Sequence, residues 1–154
     1  MTYKRAASTI GAAFLVSQIL AIAVHGFILA ADYAPFYGTL LRPMDGEASW
    51  QMLLLPISHL SFIAALVWVY ARLRLEGSQT LQGLKLGVVG WAMGQVPLWL
   101  LWYAEQPWPG SLVVKQLVLE LLSSLIVGLT IAVVAGQSHQ RAAESLAGAS
   151  WAAK

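Results

Sequence analysis

Leu112 to Ala135 reads LVVKQLVLELLSSLIVGLTIAVVA, and this stretch decides the fold. It is apolar over more than the ~20 residues that cross a bilayer as a helix. It also carries one acid, Glu120, well inside it. A carboxylate at that depth is costly unless it is paired, protonated or turned toward a polar cavity, so an intramembrane acid marks a functional-site hypothesis.

The rest of the chain agrees with a membrane setting. Its 154 residues are 58% hydrophobic and 10% charged, against roughly 25% charged in soluble domains. That length accommodates one domain of about four spans at ~20 residues each. A net charge of +2 gives no argument for nucleic acid; the basic residues report topology instead. The chain has no cysteine, which removes thiolate ligation, thiol nucleophiles and disulfide exchange together. The N-terminal MTYKRAASTIGAAFLVSQILAIAVHGFILAA begins like a signal peptide. Its apolar run exceeds the ~7–15 residues of a signal core and reads as a span; an Ala-x-Ala-like cleavage near Ala31 is the alternative.

The expected spans are Ile10 to Ala31, Trp50 to Ala71, Leu84 to Ala104 and Leu112 to Ala135. Lys4, Arg5, Arg72, Arg74, Lys85, Arg141 and Lys154 fall on one side of them, and Arg42 and Lys115 on the other. Basic residues accumulate in cytoplasmic loops, so both termini and the Arg72 to Gly83 loop are expected in the cytoplasm. The fold class expected is all-α: an integral membrane four-helix bundle with both termini cytoplasmic and a short polar tail over 137–154.

Each span carries its own irregularity. In the first, Gly11, Gln18, His25 and Asp32 recur every seventh residue, which keeps one polar or small stripe on one face. Tyr33, Phe36, Tyr37 and Trp50 suit the membrane interface, with turns at Pro35, Gly38, Pro43 and Gly46. In the second span Pro56 removes a helical hydrogen bond one turn before His59, which predicts a kink. Pro97 has the same effect in the third.

That third span also holds Gly83, Gly87, Gly90 and Gly94 in steps of four, three and four. Such a ladder lets backbones approach closely, against another helix of this chain or against a second copy. Trp99, Trp102, Tyr103 and Trp108 read as an outer aromatic belt; the alternative is a Trp-lined pocket for a sterol or porphyrin. Gly136 reads as the stop of the fourth helix. After it comes a tail with a solvated His139 and with Trp151 at the interface, either a loose surface helix or disordered.

Depth ties these spans together. At 1.5 Å per residue, His25, His59, Gln95 and Glu120 all lie about 9–14 Å below the outer surface. Gln116, Glu120, Ser123 and Ser124 share one face of the fourth helix at i, i+4, i+7 and i+8. The expected pocket is therefore Glu120, His59, His25, Gln95, Gln116 and Ser123, with Glu120 paired to His59 or His25. Three chemistries fit such a layer. Proton relay or proton-coupled transport would use the His and Glu groups. Haem or a metal would use His25 and His59, although no His-x-x-x-His or Glu-x-x-His pair is present. Lipid modification would need a nucleophile, and Ser58, Ser61 or Ser123 beside His59 belongs to no nucleophile motif. The cofactor is open on sequence grounds. The expected partners are the lipid bilayer and either a second copy or a larger membrane complex.

The sequence Tyr33-Ala-Pro-Phe-Tyr-Gly38 follows the first span, and Glu120 precedes Gly128 in the last. On these two patches the chain resembles a family of uncharacterised four-span bacterial membrane proteins. They carry Tyr-x-Pro and an aromatic-Gly at that place, and an acid before a Gly-containing apolar run. The resemblance implies a bundle in a bacterial inner membrane and assigns no activity. Function is expected first as a small accessory or ligand-binding subunit with a pocket in the outer half of the bundle. A proton-coupled carrier of a small solute comes second, and a haem- or metal-binding or lipid-modifying enzyme third.

Overall fold

The computed structural model describes residues 1–42, 50–73 and 75–152, with the backbone alone beyond residue 136. Pro43, Gly46, Arg74 and Lys154 lie outside these residues, as do the side chains of His139, Arg141 and Trp151. The chain is all-α. Four of its helices are long and apolar enough to cross a membrane: Tyr3–Ile28, Trp50–Arg72, Gln79–Glu105 and Gly110–Gly136.

The first span is helix α1 (Tyr3–Ala21) continued by a π-helical segment, Ile22–Ile28. It starts earlier than expected and ends at Leu29, whose φ of −102° and ψ of 2° break the helix. A short helix α2 (Ala30–Tyr33) and a 3-10 turn (Ala34–Phe36) then bend the chain away. Asp32 therefore does not continue the stripe of Gly11, Gln18 and His25. The π segment shifts the helical register and Leu29 interrupts it, so the seven-residue spacing stops describing one face.

The second span is a 3-10 turn (Trp50–Leu53) leading into α3 (Leu54–Arg72). Pro56 stands in the first turn of α3. Helix starts accept proline, because the N–H it lacks has little to bond there. The irregularity expected as a kink at Pro56 is taken up instead by the change from 3-10 to α-helix just before it.

The third span joins α4 (Gln79–Gly90), a π segment (Trp91–Gln95) and α5 (Val96–Glu105). Gly77, at φ +106°, makes the turn before it. Ser78 caps α4 by accepting from the Leu81 N–H at 3.3 Å. The disturbance expected at Pro97 takes the form of the π segment: Val96, just before Pro97, donates to the carbonyl of Trp91, five residues back.

The fourth span opens the long helix α6 (Gly110–Ala152). This helix does not stop at Gly136. Glycine ends a helix by adopting a left-handed conformation, and the following Arg-Ala-Ala-Glu-Ser-Leu-Ala run has the composition of a strong helix former.

We call "near" the end that carries the N-terminus and residues 75–78, and "far" the end with residues 29–42 and 106–109. The near half is held by backbone contact between α4 and α6. A Cβ on Gly83 would stand 2.8 Å from the Leu129 Cα, and one on Gly87 2.6 Å from the Ser124 carbonyl oxygen. Gly128 of α6 meets the same two glycines from the other side. Gln79 adds a clamp, donating to the Ala132 carbonyl at 2.6 Å. The ladder thus packs within the chain, but it serves two partners. Gly90 and Gly94 face Leu66 and Phe62 of α3 rather than α6. Ile63, Leu66, Leu86, Val127 and Ile131 complete this near core, while Leu15, Ile19, Phe27 and Met93 point outward as a lipid-facing surface.

Candidate functional site

The far half is more open. A cavity of about 530 Å³ lies there, lined from all four spans. The first span contributes Ser17, Val24 and His25, and α3 contributes Ser58, His59 and Phe62. The third contributes Gly94, Gln95, Trp99 and Trp102 across its π segment and α5, and α6 contributes Glu120, Ser123, Ser124 and Val127. Five of the six expected pocket residues, His25, His59, Gln95, Glu120 and Ser123, therefore line one cavity. The sixth, Gln116, is fully buried behind it.

Two of the polar residues stand in the two π segments, His25 in Ile22–Ile28 and Gln95 in Trp91–Gln95. In a π turn the backbone is wider than in an α-helix and side chains change their angular setting, which is why such turns recur at functional sites.

Glu120 pairs with His25 rather than with His59. The His25 Nε2 to Glu120 Oε1 distance is 3.1 Å. On its other side, His25 Nδ1 stands 3.0 Å from the Tyr33 hydroxyl and 3.5 Å from the Gln116 side-chain nitrogen. Both ring nitrogens of His25 are thus engaged, Nε2 toward Glu120 and Nδ1 toward Tyr33 and Gln116. The result is a hydrogen-bonded chain from Tyr33 through His25 to Glu120. His59 lines the same cavity without a side-chain hydrogen bond among the described residues.

Tyr33 was expected at the membrane interface. It is buried instead, at 7% exposure, and belongs to the site. The break at Leu29 turns α2 back so that Tyr33, eight residues on, faces the His25 ring. Burial first, and then the Glu120 charge, push its phenol above the ordinary tyrosine range, so it remains a donor at any physiological pH. Trp99 and Trp108 also leave the expected belt. Both are 4% exposed and meet edge to face at 6.3 Å between ring centroids, with Phe36 against Trp108 at 5.1 Å. Trp50 and Tyr103 do face outward.

At the far rim Lys115 donates to both oxygens of Asp32, at 2.7 and 2.9 Å. This pair ties α2 to α6 outside the cavity. The hydroxyls of Ser58 and Ser61 are engaged locally. Ser58 donates to the Leu55 carbonyl at 2.8 Å and Ser61 to that of Ile57 at 2.9 Å, neither to His59. Among the described residues no three His, Cys, Asp or Glu side chains converge to hold a metal ion. Because both nitrogens of His25 are engaged, His59 is the one described histidine side chain left to meet a haem iron.

Sequence reasoning did not place Tyr33 or Phe62 in the site, and Trp99 entered it only through the alternative of a Trp-lined pocket. The signal for Trp99 was its place one turn beyond Gln95. Tyr33 left none, because its position depends on a π segment and a break that periodicity does not reveal. No protein-family model matches this chain, and comparison with curated proteins and with solved structures finds no match among either.

Proposed function

We propose that this protein is a multi-pass membrane protein that binds a small amphipathic molecule, as an accessory or ligand-binding subunit. The observation that carries this reading is the cavity itself. Its volume of about 530 Å³ lies within the roughly 300–1,000 Å³ typical of small-molecule sites. Its wall is mainly apolar with a few convergent polar groups, the usual composition of such sites. The test is mass spectrometry of small molecules extracted from protein purified in native lipid nanodiscs. Wild-type protein should carry a stoichiometric compound that is lost when Ser58→Phe fills the cavity. Identical extracts from the two proteins would sink the reading.

A proton-coupled carrier is the second reading, favoured by the hydrogen-bonded chain from Tyr33 through His25 to Glu120. It requires a pH-driven flux in proteoliposomes that vanishes in Glu120→Gln.

The distribution of Lys and Arg supports a near end in the cytoplasm, so that the cavity opens toward the outer side, and a bacterial inner membrane is what the family resemblance implies. Because the natural chain has no cysteine, single cysteines placed at Thr2 and Thr39 report this directly. Thr39 should react with a membrane-impermeant maleimide on intact cells and Thr2 should not.

A further inference from the structure

We infer that the ligand is a lipophilic organic cation, a small amine, ammonium or phosphonium whose charge meets Glu120 and whose apolar groups lie against Phe62, Trp99 and Trp102. This rests on the ligand-binding reading above and specifies the charge of the ligand.

The charge inventory of the cavity carries the argument. Among the described residues that line it, Glu120 is the one acid, and no lysine or arginine is present. Lys115, the nearest basic residue along α6, is held at the far rim by Asp32. The Glu120 carboxyl stands 3.1 Å from His25 Nε2 and meets no lysine or arginine in the cavity. A carboxylate accepts at about four lone-pair positions, and His25 uses one. The remaining positions await a donor or a positive charge.

The aromatic residues point the same way. The faces of indole and phenyl rings are electron-rich and attract cations, and quaternary ammonium groups are recognised in this manner. Phe62, Trp99 and Trp102 stand on α3 and α5, while Glu120 stands on α6. A ligand bridging these helices would set its charge toward the carboxylate and its apolar groups toward the rings. An anion would meet Glu120 with nothing to offset the repulsion.

The titratable groups facing Glu120 are His25 from the π segment of the first span, His59 from α3 and, behind His25, Tyr33 from α2. The third span presents only the Gln95 amide.

The test is equilibrium dialysis with the full chain in nanodiscs, empty nanodiscs being subtracted. Three probes of similar shape are compared: tetraphenylphosphonium, neutral triphenylphosphine oxide and anionic tetraphenylborate. The phosphonium should bind at least tenfold more tightly than the oxide, while the borate should not bind. Glu120→Gln should bring the phosphonium down to the level of the oxide. If the oxide binds as tightly as the phosphonium, the cation assignment is wrong and the ligand-binding reading stands. If no probe binds, both fall. Should Glu120→Gln fail to fold, the charge series on the wild-type protein decides alone.

Discussion

The two ring nitrogens of His25 do different work, and the difference is testable at Tyr33. Tyr33→Phe removes the hydroxyl hydrogen-bonded to Nδ1 and leaves the long Gln116 contact of 3.5 Å in its place. A lost buried hydrogen bond costs about 1 kcal/mol, and up to ~3 kcal/mol where the partner is left unsatisfied. A lower midpoint in thermal unfolding is expected. The alkaline limb should change as well. Because burial holds the folded-state pKa of Tyr33 above the unfolded value of 10.0, the folded state retains a proton that the unfolded chain loses. Stability is then fully present below pH 10 and falls as pH rises beyond it, by up to about 1.4 kcal/mol per unit. Comparing wild type and Tyr33→Phe between pH 9 and 11 should show a steeper fall in the wild type. Parallel curves would remove Tyr33 from the account.

At the scale of elements, the glycines of α4 divide into two kinds. A Cβ at Gly87 would meet backbone, 2.6 Å from the Ser124 oxygen, and a backbone has no rotamer with which to yield. A Cβ at Gly90 would meet the end of the Leu66 side chain at 3.0 Å. Gly87→Ala should therefore cost about 1–3 kcal/mol, as overpacking generally does. Gly90→Ala should cost clearly less, and reversible unfolding in mixed micelles measures both. The spacing of these glycines, and the close helix contact it permits, was legible in the sequence, but not whether the partner lay in this chain or in a second copy. What the spacing did not reveal was the change of partner from α6 to α3 above Gly87. That change depends on how far α3 leans in, which Phe62 and Leu66 set from another helix. The π segments were hidden for a similar reason: only Pro97 leaves a local mark, and Ile22–Ile28 contains no proline.

The molecule as a whole is asymmetric along its length. The near half is fastened by glycine against backbone, whereas the far half surrounds a cavity beside which Leu54, Leu55 and Ile57 of α3 remain exposed. Four spans and a shared polar depth could be read from hydropathy and charge, because the bilayer imposes length and apolarity on every crossing. Which histidine meets Glu120 could not, since counting residues gives depth but not rotation about a helix axis. The asymmetry predicts where the bundle moves. Spin labels at Ile57 and Leu101, on the far halves of α3 and α5, should give a broad distance distribution that narrows with tetraphenylphosphonium. Labels at Leu81 and Val133, across the α4–α6 crossing, should give a narrow distribution in both states. A narrow, unresponsive far-end distribution would mean that the cavity is rigid.

A π turn carries one residue more than the α-helical path it replaces, so the segment Ile22–Ile28 makes His25 sensitive to length as well as to substitution. Deleting Gly26 would let the helix close into regular α geometry and recover ordinary hydrogen bonds. It would also turn everything beyond the deletion by about 100°, carrying the break at Leu29 and the Tyr33 hydroxyl away from the imidazole. Such a shortened chain would have a more regular first helix and would lose the His25–Tyr33 contact, so the extra residue is what holds that contact in register.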